Sequence, residues 1–345
     1  MRISNHSTGS GRKIEERLRK KVYCAQLYYG KLPHLSHPLT QSEIAKLLGI
    51  SPSQVSYLLK EAHQEGLIEV TIHAPRSYLL EGELIHAYRR YGLCQARVAV
   101  VNGSDFEPVV IDAIGDCAAR YVEESIKPGS KVGVSGGRTV RSLVEHLRQG
   151  KLQRLEVYPM ESRGPLEISA NTLAANMAAK CEKSVAFGLP IPPLTAGTIK
   201  EAKQVLDYLL NIESIAEVYG KLKELDVAII GIASLMDPAS RERNAKYYGV
   251  DLNFIEEISK KAVGNILWQF FDENGNLVDS DLHERVITVT LEQLRRMSRS
   301  PERRVIAVAG GEYKVKAIRA AILGGFIDTL ITDIDTAEKL LEMAE

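Results

Sequence analysis

The stretch LTQSEIAKLLGISPSQVSYLLKEAHQEGLIEVTI, residues 39–72, predicts two short helices followed by a strand. The letters TQSE at 40–43 have the Ser/Thr-x-x-Glu form of a capping box, with which many helices begin. Gly49 can adopt the positive φ that ends a helix, and SPSQ at 51–54 then repeats the starting signal with a proline at the first helical position. Two helices joined by so short a turn are typical of a helix-turn-helix.

The second predicted helix has an apolar face and an outward face of hydrogen-bonding side chains. Its apolar residues recur at helical spacing and are Val55, Leu58, Leu59 and Ala62. In DNA-binding helix-turn-helix proteins the second helix lies in the major groove, with its N-terminal residues at the base edges. Gln54 can pair with adenine, and Lys60 can contact a phosphate. The candidate DNA-binding residues are Ser51, Ser53, Gln54, Ser56, Tyr57 and Lys60.

The apolar alternation at 67–72 follows this helix directly and fits the strand of a wing, so the first domain is predicted to be a winged helix-turn-helix. The alternative is a plain helical hairpin with a solvated face. The chain has 44 Lys and Arg and 44 Asp and Glu, yet residues 1–75 hold ten Lys and Arg against six Glu. This local positive excess favours DNA binding, because phosphate contacts require positive charge.

Composition argues against several other classes of protein. No apolar run approaches the ~18 residues of a membrane span. The four cysteines are widely scattered and form no C-x-x-C, so neither a metal site nor a disulfide framework is predicted. We therefore expect a cytoplasmic protein that has no membrane partner and no metal.

From residue 96 onward, short apolar runs rich in β-branched residues alternate with helical stretches. The runs lie at 97–101, 131–135, 155–158, 184–187, 226–231, 305–309 and 329–332. This alternation predicts an α/β domain with a doubly wound parallel sheet, and an Asn-Gly pair within 270–278 predicts a hairpin. The predicted organisation is a DNA-binding domain at 1–75, a linker helix at 76–95 and an α/β domain at 96–345, for which the family resemblance given below implies effector binding and oligomerisation.

The letters SGGRT at 135–139 follow one of these strands and precede a helix. Ligands of open parallel sheets bind at the carboxyl ends of the strands. Two glycines allow backbone N–H groups to approach an anion, and the helix N-terminus adds a favourable dipole. The candidate phosphate-binding residues are Ser135, Gly136, Gly137, Arg138 and Thr139. The loop lacks the glycine spacings of nucleotide-binding loops, so no cofactor is predicted, and the alternative is a tight strand-to-helix turn. Lys314, which follows another strand, could face the same crevice.

Several stretches resemble the SorC family of bacterial sugar-responsive transcriptional regulators. Beside the helix-turn-helix, they are VGVSGGRTV at 132–140, LPIPPL at 189–194, AVGNILWQFFDENG at 262–275 and IAVAGGEYKVKAIRAAILGGFIDTLITDIDTA at 306–337. The resemblance implies an N-terminal DNA-binding domain and a C-terminal effector domain of the sugar-phosphate isomerase and deaminase type, commonly assembled as a tetramer.

Carried onto this chain, the resemblance implies that residues 136–139 bind the effector's phosphate, that Lys314 contacts the effector, and that Ile191 and Leu194 line the pocket. Asn265 stands where the family usually has aspartate. An amide still donates and accepts hydrogen bonds, but it is a poor group for proton transfer. The letters YPMESRGP at 158–165 also depart from the glycine-rich text usual in the family.

The sequence therefore predicts a regulator whose affinity for operator DNA is controlled by a phosphorylated sugar or polyol, assembled as a homo-oligomer, with the tetramer as the expected form. One alternative is a sugar-phosphate isomerase or deaminase. It would need a base beside the substrate carbon, and it gives the helix-turn-helix no purpose. A constitutive architectural DNA-binding protein is a further alternative, but it leaves the phosphate-like loop unexplained.

Overall fold

The chain divides into two compact units, Met1–Ile72 and His73–Glu345. The computed structural model describes residues 8–32, 35, 37–68, 73–101, 107–162, 164–189, 191, 199–280 and 282–344. The unit boundary lies three residues before the predicted domain boundary at residue 75.

The described residues of the first unit form three helices, α1 (Thr8–Tyr28), α2 (Gln41–Leu48) and α3 (Pro52–Gln64). Both predicted capping boxes form, on Thr40 and on Ser51, and Gly49 ends α2 with a φ of 63°. Residues from all three helices form one small apolar core, in which Leu27, Ile44 and Val55 are buried. The helix-turn-helix is thus confirmed, while residues 69–72 of the predicted wing lie outside the described residues.

The second unit is built on a seven-stranded parallel sheet. Its strands are β1 (Gln95–Ala99), β2 (Lys131–Val134), β3 (Glu156–Pro159), β4 (Val185–Ala186), β5 (Val227–Ile230), β10 (Arg304–Val308) and β11 (Thr329–Asp333), in the order β1-β11-β10-β5-β2-β3-β4. Every predicted strand run lies in this sheet. Apolar clusters pack on both of its faces, which explains why the strands are continuously apolar.

Helices connect and cover the strands. They are α4 (Tyr78–Tyr88), α5 (Glu107–Ser125), α6 (Arg138–His146), α7 (Ala170–Lys180), α8 (Ile199–Leu210), α9 (Glu213–Lys221), α10 (Pro238–Tyr248), α11 (Leu252–Ser259), α12 (Leu291–Ser298), α13 (Val315–Leu323) and α14 (Ile334–Glu342), with 3₁₀ turns at Arg89–Tyr91, Leu166–Ile168, His283–Arg285 and Glu312–Lys314. Within the described part of the chain, no helix has the length and apolar character that crossing a membrane demands.

A small antiparallel sheet was not predicted, apart from its hairpin. It contains β6 (Ala233–Ser234), β7 (Gly264–Ile266), β8 (Gln269–Phe271) and β9 (Leu277–Val278). The predicted Asn-Gly turn joins β8 to β9, as expected. The tight turn between β7 and β8 is formed by Leu267 and Trp268, both at positive φ, and these residue types give no turn signal. This sheet brings Asn265 to the cavity described below.

Helix α4 is an integral part of the second unit, although residues 76–95 were predicted to form a linker helix. Leu84 is fully buried, and the Tyr88 hydroxyl donates to the Leu340 carbonyl at 2.6 Å. The Glu81 carboxylate accepts from the Val98 amide at 3.1 Å and from the Arg76 guanidinium. These buried contacts fix the helix against β1 and α14.

Candidate effector site and DNA-binding surface

A cavity of 380 Å³ lies where the loops after β2, β5 and β10 meet. The loops are tied together by hydrogen bonds: the Gly231 amide donates to Ser135 Oγ at 3.0 Å, and Thr139 Oγ1 donates to the Val308 carbonyl at 2.6 Å. The sequence-predicted residues that line the cavity are Ser135, Gly136, Gly137, Arg138, Thr139, Asn265 and Lys314. The fold therefore gathers residues from three distant parts of the sequence at one site.

The backbone amides of the glycine loop already have hydrogen-bond partners within the protein, which the sequence did not suggest. The Gly136 amide donates to Glu161 Oε1 at 2.7 Å, and the Gly137 amide donates to the Ile168 carbonyl at 2.9 Å. Ser135 Oγ donates to the Gly136 carbonyl at 3.0 Å. No described side chain caps α6, which begins after Gly137. The donors left for an anion are thus the first-turn amides of α6, starting at Arg138.

Positive charge dominates the cavity wall. The charged residues lining it are Arg138, Arg243, Lys246 and Lys314, together with one carboxylate, Glu161. Burial lowers the pKa of Lys314 to about 8, and Arg138 adds to this effect, whereas Glu107 opposes it. Among the described residues, no carboxylate lies within ion-pair distance of the Lys314 ammonium. Burial therefore disfavours the charged form of Lys314, and an anionic ligand beside it would stabilise that charge.

Arg138 is paired with Glu107, the first residue of α5. Two hydrogen bonds join the guanidinium to the carboxylate, at 3.0 and 2.7 Å, and the Tyr313 hydroxyl also donates to Glu107. Partial burial would raise the pKa of Glu107, but the hydrogen bonds from Arg138 and Tyr313 outweigh it and lower this pKa to about 2. Glu107 is therefore an ionised internal partner that an external anion would have to replace at Arg138.

Asn265 belongs to a buried chain of amides and hydroxyls. Its Nδ2 donates to Asn244 Oδ1 at 3.1 Å, and its Oδ1 accepts from the Tyr248 hydroxyl. Asn244 cannot reverse its amide, because its Nδ2 donates to the Ser234 and Ser240 carbonyls at 3.0 and 2.7 Å. A carboxylate at residue 265 would face another acceptor here, so the amide fits the surroundings that this chain provides.

Glu161 is the main site residue that the sequence prediction missed. It is only 4% exposed, and its Oε1 accepts from both the Gly136 amide and the Tyr247 hydroxyl, the latter at 3.1 Å. Burial raises the pKa of Glu161 to about 7, while Gly136, Tyr247 and Trp268 oppose the rise. Two features of the sequence could have indicated Glu161: it follows the end of β3, and it lies in the stretch 158–165 that departs from the family.

Arg243 and Tyr247 were also missed. They lie four residues apart on one face of α10 and both line the cavity. Arg243 lies 5.3 Å from the centre of the Tyr313 ring.

Ile191 is buried in the apolar core rather than lining the cavity, and Leu194 lies outside the described residues. In the described ranges, no group of three His, Cys, Asp or Glu side chains is arranged to hold a metal.

The six candidate DNA-binding residues are all exposed on α3 or at its cap. Ser51 and Gln54 also hold the helix start, since the Ser51 amide donates to Gln54 Oε1 at 2.9 Å. Replacing Gln54 with alanine would therefore remove a cap as well as a candidate base-contacting side chain. Arg17 of α1 lies beside this surface: its guanidinium is 5.8 Å from the Tyr57 ring centre and donates to Glu61.

Comparisons with known proteins divide the chain in the same way. The family model described as "Putative sugar-binding domain" matches residues 79–342, and a MarR family model matches residues 34–75, which include α2 and α3. The first match covers most of the second unit, and the second covers the helix-turn-helix.

Regulators resemble the chain over nearly its whole length. The sorbitol operon regulator of Klebsiella pneumoniae is 31% identical over 338 residues, and the deoxyribonucleoside regulator of Bacillus subtilis is 28% identical over 330 residues; each match covers 94% of this chain and 98% of the regulator. The crystal structure of the full-length sorbitol operon regulator SorC from K. pneumoniae aligns with a TM-score of 0.68 at 29% identity, over 94% of this chain and 98% of that one. These relatives are regulators rather than isomerases or deaminases. The chain is an effector-controlled transcriptional regulator and belongs to the SorC family.

Proposed function

We propose that the effector is a phosphorylated sugar or polyol bound in the cavity of the second unit. The observation that carries this proposal is the uncapped N-terminus of α6 beside the half-buried Lys314, which has no ion-pair partner among the described residues. A phosphate would accept from the helix amides and compensate the lysine charge. The amides and hydroxyls around Asn265 provide partners for sugar hydroxyls.

The effector acts on DNA binding through α5. An effector phosphate would take the place of Glu107 at Arg138 and release the first turn of α5. Nine residues further along this helix, the Asp116 carboxylate accepts from His73 at 2.7 Å and from the Ala74 amide at 3.1 Å. These are the residues that directly follow the DNA-binding unit, so a shift of α5 reaches the connection between the units. A tenfold change in operator affinity requires about 1.4 kcal/mol of such coupling.

Operator binding by a helix-turn-helix of this size favours a homo-oligomer, because two copies of the helix can read two half-sites. The tetramer implied by the family resemblance satisfies this requirement. A protein with these partners would act in the cytoplasm, where it can reach both operator DNA and phosphorylated metabolites.

A thermal-shift screen that pairs each sugar phosphate with its unphosphorylated parent tests the effector class. At 100 times the dissociation constant, a ligand stabilises the protein by about 2.7 kcal/mol, and we expect this only from phosphorylated members. Equal stabilisation by the unphosphorylated parents would contradict the proposal. Fluorescence anisotropy with DNA from upstream of the gene, with and without the stabilising compound, then tests control of operator binding.

Replacing Lys60 with alanine is expected to weaken binding to every DNA sequence and to lower the slope of log affinity against log salt by about 1, because one phosphate contact is lost. The measurement is fluorescence anisotropy at several salt concentrations. Lys127→Ala, which removes an exposed lysine of the second unit, is the matched control. An unchanged salt slope in Lys60→Ala would place this face of α3 away from DNA.

A further inference from the structure

A buried carboxylate of the protein already accepts the hydrogen bond that a backbone amide of a glycine loop usually donates to a bound anion. Glu161 Oε1 accepts from the Gly136 amide at 2.7 Å, and the loop closes tightly around this contact. A Cβ on Gly136 would lie 2.4 Å from the Tyr247 hydroxyl and 3.0 Å from Glu161 Oε1. The Glu161 side chain is therefore a fixed part of the cavity wall, and in its ionised form it repels any anion that approaches this part of the loop.

The cavity has two chemically different ends. At one end, the cations Lys314, Arg138 and Arg243 outnumber the nearby carboxylates Glu107 and Asp333, so this end is cationic. The groups that face Glu161 are different and carry no positive charge. They are the Gly136 amide from the loop after β2, Tyr247 and Tyr248 from α10, Trp268 from the turn after β7, and Thr288, which forms a β-bridge with Glu161.

We propose that Glu161 is a specificity-determining residue, which turns the ligand so that its phosphate lies at Lys314 and the start of α6 while one of its hydroxyl groups donates to the Glu161 carboxylate. This inference rests on the proposed effector class and adds the orientation and the required hydroxyl. A carboxylate accepts several hydrogen bonds, so Glu161 can keep its contacts with Gly136 and Tyr247 while it binds the ligand. A bare anion has no hydroxyl group to donate to Glu161, so it forms no hydrogen bond with this residue and is repelled by its negative charge.

The pH dependence separates these two kinds of ligand. Because the pKa of Glu161 is about 7, the side chain is mostly neutral at pH 6 and mostly ionised at pH 8. A bare anion should therefore bind less well as the pH rises, whereas a hydroxyl donated to the carboxylate offsets this loss in a polyol phosphate. The other charged groups lining the cavity are Arg138, Arg243, Lys246 and Lys314, and Glu107 is paired with Arg138. Lys314, with a pKa of about 8, loses part of its charge towards pH 8, and this weakens the binding of both ligands.

The experiment measures the dissociation constants of inorganic sulfate and of sorbitol 6-phosphate by calorimetry from pH 6 to pH 8. Sulfate is the bare anion, and it does not titrate in this range. From pH 6 to pH 8 we expect the ratio of the sulfate constant to the polyol phosphate constant to rise about tenfold more in the unmodified protein than in Glu161→Gln, since only sulfate meets an uncompensated charge. In Glu161→Gln the ratio should change only with the second ionisation of the polyol phosphate, whose pKa is about 6, because glutamine keeps an acceptor for Gly136 but does not ionise.

Glu167→Gln is the matched control, since Glu167 is an exposed carboxylate in the 3₁₀ turn Leu166–Ile168, and it should behave like the unmodified protein. The glutamine variant should fold, because a neutral group replaces a buried carboxyl of the same shape. If both ligands bind but the ratio changes with pH equally in the unmodified protein and in Glu161→Gln, Glu161 has no role in selection. If neither anion binds to the unmodified protein or to the variant, both this inference and the proposed effector class are wrong.

Discussion

Replacing Lys314 with methionine is expected to weaken the binding of a phosphorylated sugar by roughly 100-fold. A hydrogen bond to a charged group contributes about 1.5–3 kcal/mol, and each 1.4 kcal/mol is a factor of ten in affinity. Methionine keeps the length and much of the apolar contact of the lysine but removes its charge. Because burial already disfavours the protonated lysine, we expect the ligand-free variant to be at least as stable as the original protein. Isothermal titration calorimetry at pH 7 gives the affinity directly.

The pH profile of the same variant provides the internal check. The pKa of Lys314 is lowered to about 8 in the empty cavity, and a bound phosphate would raise it again. The ligand therefore favours the protonated lysine, so the affinity of the original protein should fall as the pH rises through 8. Lys314→Met should lack this fall, whereas Lys316→Met, which removes an exposed lysine two residues away, should retain it. An unchanged affinity in Lys314→Met would move the phosphate to another part of the cavity.

The helices and strands that were predicted correctly are those with a strong local sequence pattern. Two capping boxes defined the starts of α2 and α3, and Gly49 defined the end of α2, because each cap joins groups that are only three or four residues apart. All seven strand runs lie in the parallel sheet, since strands buried on both faces are continuously apolar. In both cases the signal that predicts the element is local in the sequence.

The small sheet and the internal partners of the cavity depend on contacts between distant residues. Leu267 and Trp268 form a tight turn at positive φ without a turn residue, so the strand pair β7–β8 has no local signal. The pairing of Glu161 with Gly136 spans 25 residues, and that of Glu107 with Arg138 spans 31. The sequence placed the glycine loop and Arg138 at the cavity, but it could not indicate that carboxylates of the protein already engage them.

Replacing Gly136 with alanine is expected to lower the free energy of unfolding of the second unit by about 3 kcal/mol, the upper range for overpacking, and to abolish effector binding. The reason is steric rather than conformational. A Cβ at this position would lie 2.4 Å from the Tyr247 hydroxyl and 2.7 Å from the Ile168 carbonyl, and the latter belongs to the backbone and cannot rotate away. For a unit of this size the loss corresponds to a fall of roughly 6–10 °C in Tm.

Gly231→Ala is the matched control, because Gly231 lines the same cavity and its Cβ would meet no atom closer than 3.7 Å. Its Tm should change by less than about 2 °C, as expected for a substitution that creates no clash. Differential scanning calorimetry measures both changes, and titration with the stabilising sugar phosphate measures binding. If Gly136→Ala matched the control in both measurements, the loop after β2 could move away from Tyr247 and Ile168 at little cost. Its amides would then be free to reach a phosphate, Glu161 would not be fixed in the wall, and an anion could bind where the sequence alone had placed it.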